Sequence, residues 1–412
     1  PAWPPPRQTK IRPEPGGLEG RFGMVKSIGA MVLCWAFIAT ANCGQAVEIT
    51  ACQGPGELSW TNERLNASYT IEWAPNTQGP WTNWPGQTDR PVTAGVMSAE
   101  IPMLFRVSIA TNGGQFVPPG GKTLLLIGQD TNSIDTYVRS NSVIPGGVMF
   151  YTSVQTADGL TAPADYGGGV QFGQYLVDHF TNSALQIGLY MIGALQGVTN
   201  GTYNANLDTL GNWMTNTHRP IYLRIGYEFD APNNYEPAAY AAAFRYIVNR
   251  FRAASVGNVD YVWHSYAATV TNAHMAWYPG DEYVDWFGVS VFGQIMGTNW
   301  NELNAMARLA REHHKPLMIA EAAPMGLPTT QGINCWTSWF TRVFSYIQEQ
   351  DVRALSYINC NWDEIPMFSS MGWGDSRVQS DPYVQAHWMQ TITNGSFWNA
   401  SPELFDRLQA RP

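Results

Sequence analysis

Eight short apolar runs, separated by polar or helix-patterned stretches, dominate the chain from residue 124 onward: LLLIG (124–128), GVMFYT (147–152), LQIGLYM (185–191), PIYLRIGYE (220–228), VDYVWH (259–264), VDWFGVSVF (284–292), PLMIAE (316–321) and ALSYIN (354–359). Runs of this length, rich in branched and aromatic residues, read as strands buried on both faces. Between them lie segments such as PAAYAAAFRYIVNRFRAA from Pro237 and WNELNAMARLAREHH from Trp300, whose apolar residues recur three and four apart. That is the period of a helix laying one face on a sheet. Strands joined by crossover helices run parallel, and eight strand–helix units in about 270 residues fit an α/β fold, the (β/α)8 or TIM barrel, over 124–395. A doubly wound open sheet is the alternative, but no glycine-rich phosphate loop follows the first run. Residues 396–412 remain as a C-terminal tail.

The preceding chain has a different rhythm. From 47 to 110, apolar and polar residues alternate in ELSWTN, SYTIEWA, PWTNW and VMSAEIPMLFRVSIA, with Gly, Pro and Asn between them. Period two predicts antiparallel strands with one buried face, a small all-β sandwich-like domain of fibronectin-III-like pattern. Trp81 and Trp84 are expected in its small core or against the barrel rather than on sugar. The stretch TNGGQFVPPGGKT (111–123) reads as a linker. At the other end, residues 24–46 carry Lys26, an apolar run from Ile28 to Ala41 and then small residues, the three parts of a secretory signal peptide. Residues 1–23, rich in Pro, Gly and Arg, read as a disordered or mis-assigned lead. An exported protein is expected.

Charge narrows the partners. The chain has 412 residues with 23 Lys and Arg against 32 Asp and Glu, a net charge of −9, and residues 1–46 hold five of the basic and only two of the acidic residues. No basic stripe is available for a phosphate backbone or an anionic lipid surface, so neither nucleic acid nor membrane is an expected partner. Only 13% of residues are charged, whereas Trp, Tyr and Phe number 17, 19 and 17. Such aromatic abundance suits a large neutral ligand that stacks, and a monomer is expected. The seven His show no metal-ligand spacing, so no metal or other cofactor is expected, and no G-x-S-x-G elbow is present to support a serine nucleophile. Cys335 and Cys360 fall just past predicted strands and are the expected disulfide, two buried thiols being the alternative.

In a (β/α)8 barrel, chemistry sits where strands end. Two runs end there in a carboxylate, RPIYLRIGYE at Glu228 and KPLMIAE at Glu321. Partly desolvated carboxylates are costly unless paired or used. A pair across a cleft is how glycosidic bonds are cut, one protonating the leaving oxygen while the other attacks or activates water. Ion pairs with Arg224 or Lys315 explain the same residues equally well.

The segment from Arg219 to Gly293 and the KPLMIAEAAP segment resemble the retaining β-glycanases of clan GH-A, most nearly glycoside hydrolase family 26, which includes β-mannanases, β-1,3-xylanases and lichenases. Arg224 four residues before Glu228 matches the family's acid/base motif, and Lys315, Pro316 and Glu321 match its nucleophile motif. WYPGDEYVDWFG (277–288) is similar to its entry into strand six. The resemblance implies a secreted endo-acting glycanase that cuts mannan, β-1,3-xylan or β-glucan by double displacement, Glu321 attacking and Glu228 giving and taking the proton. Two positions depart from the pattern: Tyr227 stands where His usually precedes the acid/base, and Phe292 where a strand-six Tyr bonds the nucleophile. These departures motivate the rival reading, a non-catalytic carbohydrate-binding protein on an inactive barrel. Further substrate-binding candidates are Arg224, Tyr227, Trp263 and His264 at the end of run five, Trp362 as a sugar platform after run eight, Tyr151, Gln129 and Asp130. Asp230 is expected to shape the loop after Glu228.

Overall fold

The computed structural model describes residues 114–268, 274–298 and 300–409, and seven strands between residues 48 and 111. The expected lead and signal peptide, and Trp81 and Trp84, lie outside the described residues.

The strands described before the barrel pair antiparallel. Glu48–Gln53, Glu57–Asn62 and Gly95–Glu100 form one small sheet. Ala67–Ala74 pairs with Leu104–Thr111 over its whole length and with the short Thr82–Asn83 and Arg90–Pro91.

The eight apolar runs are eight parallel strands: β1 (Thr123–Gly128), β2 (Gly147–Ser153), β3 (Ala184–Tyr190), β4 (Ile221–Ile225), β5 (Val259–Ser265), β6 (Trp286–Val291), β7 (Leu317–Ala322) and β8 (Val352–Ile358). Each pairs with its neighbours in chain order, and β8 returns to β1 through Ala354↔Leu124 to Ile358↔Gly128. The barrel is closed, which removes the exposed edges an open sheet would carry.

Helices cover the outside for the reason their spacing implies. In α1 (Pro237–Ala253), Tyr240, Ala243, Phe244, Ile247, Val248 and Phe251 are buried. Glu236 caps its start by accepting from the backbone N–H of Ala238 and Ala239, and Pro237 occupies the first turn, where no donor is missed. Each large apolar side chain buried there contributes about 1.5–3 kcal/mol. Removing the Phe244 ring would cost about 3–5 kcal/mol.

Alternation along the strands sorts side chains into two cores. Outward residues such as Leu223, Ile225, Trp263, Phe287, Val289 and Ile319 join the helices. Inward residues Leu124, Leu126, Tyr222, Val262, Trp286 and Met318 fill the lower barrel, with Phe116, Leu404 and Leu408 packed into the same cluster.

Those last three come from segments expected to lie outside the barrel. Buried Asp260 accepts from the backbone N–H of Gln115 and Phe116 at 3.0 and 3.1 Å and from Trp286 Nε1 at 2.8 Å, so the later part of the 111–123 stretch is fastened beneath the barrel. In the 396–412 stretch, Phe397–Trp398 adds to β1 and the helix Leu404–Gln409 follows. Apolar residues in both stretches, not their Gly and Pro content, decide this.

The expected disulfide is a correction. Cys335 and Cys360 are free, buried thiols, Cys335 in the outer core and Cys360 in an aromatic cluster with Phe292 and Trp362. Cys335 Sγ is directed at the Leu327 carbonyl, 3.2 Å away. Burial pushes the Cys335 thiol up to about 12 and raises that of Cys360, which suits two inert packing residues.

Candidate active site

Strand parity builds the barrel mouth. Counting inward positions toward the C-terminal ends gives Tyr151 on β2, Gly188 on β3, Arg224 on β4, His264 on β5 and Ser290 on β6. Gly188 is required by space: a Cβ there would lie 2.4 Å from the Tyr151 ring and 2.9 Å from the Arg224 guanidinium.

Glu321 reaches the same layer through an irregularity. Between β6 and β7 the register steps from Val289↔Ile319 to Ser290↔Glu321, leaving Ala320 as an extra residue. Strict alternation would turn Glu321 outward once Met318 and Ala320 face in. The bulge instead allows Ala320 and Glu321 both to face the interior, and Ala322 rejoins the outer core.

Glu228 lies past the end of its strand. β4 stops at Ile225, short of the run's predicted end at Glu228, because Gly226 takes φ 56° and Glu228 itself φ 53°. The left-handed region is unfavourable for a Glu. The turn is held by the surroundings: Phe229 N–H donates to the His264 carbonyl at 3.0 Å, and Asp230 accepts from Ser265 Oγ at 2.6 Å and Tyr266 N–H at 2.7 Å. Asp230 thus shapes this loop by pinning it to the end of β5.

The two carboxyl groups have different environments. Glu321, 7% exposed, is ion-paired with Arg224 and accepts from the Tyr151 hydroxyl at 2.8 Å. Arg224 is fully buried, and its guanidinium carbon lies 5.0 and 5.2 Å from the Tyr151 and Tyr227 ring centroids. Burial opposes its charge, but Tyr151 and Glu321 outweigh burial and raise its pKa. Burial, reinforced by the Glu321 charge, pushes the Tyr151 hydroxyl well above its ordinary value, so it remains a donor. At Glu228 the described side-chain partner is a neutral hydroxyl, with Ser290 Oγ donating to Oε1 at 2.7 Å. Burial first and the Glu321 charge second push Glu228 up to about 8, against the Ser290 hydrogen bond and Arg224. One carboxylate is ion-paired with Arg224, while burial and the neighbouring carboxylate favour the protonated form of the other. A carboxyl group raised by its environment beside one engaged by a cation suits a division into acid and base roles.

The structure divides the remaining sequence candidates. Tyr151 and Tyr227 border the carboxylates, their rings edge to face at 5.2 Å. Trp263 is a correction: one residue before an inward position, it points into the outer core, stacked on Phe229 at 4.3 Å and wholly buried. Arg224 and His264 are likewise fully buried, Arg224 against Glu321 and His264 against Ser290. Trp362 is 2% exposed beneath Phe368 and Trp373, at centroid distances of 4.8 and 4.6 Å, so its ring is not an open platform. Asp130 caps a helix by accepting from Asn132 and Ser133 N–H, and lines a neighbouring polar pocket of about 300 Å³ with Asp165, Asn359 and Glu364. Gln129, 6% exposed, donates to the Gly168 carbonyl at 3.2 Å. Sequence reasoning misses Ser290, although a small polar residue at the last inward position of an apolar strand is a readable signal. It also misses Phe368 and Trp373, whose loop has no periodicity to place them.

A glutamate ion-paired with Arg224 and a second, with a raised pKa, bonded to a neutral hydroxyl at the C-terminal mouth of a closed (β/α)8 barrel form the kind of arrangement a glycoside hydrolase uses. The comparisons with known proteins agree. The family model for glycosyl hydrolase family 26 matches residues 227–326. A β-1,3-xylanase of an Alcaligenes species is 34% identical over 339 residues, covering 73% of this chain and 72% of that protein; the β-1,3-xylanase TXYA of a Vibrio species is also 34% identical, covering 73% of each. The chain belongs to glycosyl hydrolase family 26, in clan GH-A. Among solved structures, the GH26 β-mannanase BoMan26A of Bacteroides ovatus shares the fold at a TM-score of 0.52 and 12% identity, covering 69% of this chain and 93% of that one. An endo-β-1,4-mannanase of Cellulomonas fimi does so at 0.51 and 16%, covering 69% and 74%.

Proposed function

We propose that this glycoside hydrolase is an exported endo-β-1,3-xylanase that works by double displacement, with Glu321 as nucleophile and Glu228 as acid/base. The observation that carries the division of roles is the asymmetry of the two glutamates: Glu321 paired with Arg224, Glu228 raised to about 8. Glu321 attacks the anomeric carbon as Glu228 gives its proton to the departing glycosidic oxygen, forming a glycosyl ester and a free chain end. Esterification removes the negative charge on Glu321, one of the groups that raise Glu228. Glu228 then ionises more readily and takes the proton of a water that attacks the same carbon, releasing Glu321 and a product of retained configuration. No step calls for a cofactor.

The choice of β-1,3-xylan rests on the two β-1,3-xylanases that match about three quarters of the chain. The solved mannanases support the fold alone, since their identities lie near 12–16%. Export rests on residues 24–46, and the strands before the barrel are read as a sandwich-like accessory domain. Reducing-end release from β-1,3-xylan, β-1,4-mannan and mixed-linkage β-glucan tests the assignment. Cleavage of β-1,3-xylan in preference to the others, abolished in Glu228→Gln and Glu321→Gln, is expected. Cleavage of mannan in its place overturns the substrate, and activity that survives both substitutions overturns the site.

A further inference from the structure

Ser290 does more than touch Glu228: it lies at the end of a polar chain that crosses the barrel mouth. Arg224 Nη1 is 3.4 Å from His264 Nδ1, His264 Nε2 is 3.0 Å from Ser290 Oγ, and Ser290 Oγ is 2.7 Å from Glu228 Oε1. His264 and Ser290 are fully buried. Chemistry dictates the direction of the chain. A guanidinium has donors and no acceptor, so the ring nitrogen facing it accepts. Burial, and then the Arg224 charge, drive the His264 pKa well below its ordinary value, so the ring carries one proton, and that proton is on Nε2. Nε2–H donates to Ser290 Oγ, which leaves the single Ser290 hydroxyl proton for Glu228 Oε1.

We propose that Ser290 is a positioning residue that, oriented by Arg224 and His264, occupies Glu228 Oε1 as an acceptor and so confines the acidic proton of Glu228 to Oε2. The inference rests on the acid/base reading of Glu228 and adds which oxygen delivers the proton. A carboxylic acid free to rotate its proton between two oxygens presents it to the leaving group only part of the time; an acid with Oε1 engaged presents it from one place. The same chain ties the two glutamates together, because Arg224, which starts it, is also the partner of Glu321. The other charged or titratable groups around Glu228 are Tyr227 and Asp230 on its own loop, Tyr235 and Tyr266. Asp230 is already engaged by Ser265 and the Tyr266 N–H, which leaves Ser290 as the described side-chain donor to Glu228.

The test is the pH profile of Ser290→Ala beside Ser290→Thr. Losing a donor to the carboxylate raises the acid's pKa, so in Ser290→Ala the basic limb of kcat/KM moves up by about one unit. Its kcat falls about tenfold while KM stays within about twofold. Ser290→Thr retains a hydroxyl and keeps the wild-type limb. A merely structural Ser290 would lower stability and activity without moving the limb, and that result, or a Thr variant shifted like the Ala variant, overturns the proposal. A second measurement needs no turnover: ¹⁵N NMR of His264 in the full chain, expected to show the neutral Nε2–H tautomer between about pH 5 and 9. An Nδ1–H tautomer or an imidazolium in that range overturns the chain. Should the protein cleave no glycan at all, the catalytic reading fails, while the tautomer still decides the hydrogen-bond direction.

Discussion

Tyr151 on β2 hydrogen-bonds Glu321 on β7 across the barrel mouth, at 2.8 Å and to the oxygen that Arg224 also holds. This contact resolves the departure at Phe292. The resemblance implies a strand-six Tyr that bonds the nucleophile, and Phe292 cannot do so. It is 4% exposed and packs edge-on against Trp373 at 5.1 Å. The hydroxyl comes instead from a different strand, in the space that Gly188 leaves open. Tyr151→Phe should therefore lower kcat by about tenfold to a hundredfold, the range for a hydrogen bond to a charged group, with little change in KM. Steady-state kinetics on the cleaved glycan checks this, and an unchanged kcat would show that Arg224 alone suffices.

The raised pKa of Glu228, at about 8, places the basic limb of kcat/KM near pH 8. Glu321→Gln removes one of the causes of that rise and leaves Arg224 without its counter-charge, so Glu228 should titrate lower in this variant. An NMR titration of the Glu228 carboxyl reads the shift, and an unchanged value would mean that burial alone raises it.

The same group makes stability depend on pH. The folded state binds the Glu228 proton more tightly than the unfolded chain, where a Glu titrates near 4.5. Its contribution is therefore fully present below about pH 4.5 and is lost as pH rises toward 8. Glu228→Gln, which cannot ionise, should exceed the wild type in Tm at pH 9 and differ less at pH 5. Thermal unfolding at the two pH values checks the sign.

Asp260 fastens the chain that enters the barrel from below. Asp260→Ala leaves the N–H groups of Gln115, Phe116 and Trp286 without their acceptor and should cost about 3–5 kcal/mol in urea unfolding. Asp260→Asn keeps an acceptor oxygen and should cost less. Equal losses in the two variants would point to the charge rather than the geometry.

Cys335 and Cys360 should both be alkylated when the protein is unfolded without reductant, since each is a free thiol. Peptide mapping by mass spectrometry reads this directly. A recovered Cys335–Cys360 peptide would restore the disulfide that chain position suggests.

Much of the site is legible in the sequence, and particular residues show why. Glu228 and Glu321 each end an apolar run, and an ionisable group at such a place is costly unless it is paired or used. Parity would separate His264 from Trp263 and pick out Ser290, since those residues occupy regular strand, but sequence reasoning keeps both His264 and Trp263 and passes over Ser290. Tyr151 stands out only as a cleft candidate: its partner is 170 residues away, and no local pattern reports which strand will supply a hydroxyl. Trp362 reads as an open platform in the sequence because the loop that covers it, with Phe368 and Trp373, has no period to follow.

By itself, the sequence determined the parallel barrel, its eight strands and the two glutamates. Each depends on local periodicity and on the cost of burying a charge, and both are written in nearby residues. Tertiary structure alone decided what surrounds each glutamate. The bulge at Ala320, the left-handed turn at Glu228 and the meeting of Tyr151, Arg224, His264 and Ser290 bring groups from five strands within hydrogen-bonding distance. Acidity depends on those distances, and a linear sequence does not contain them.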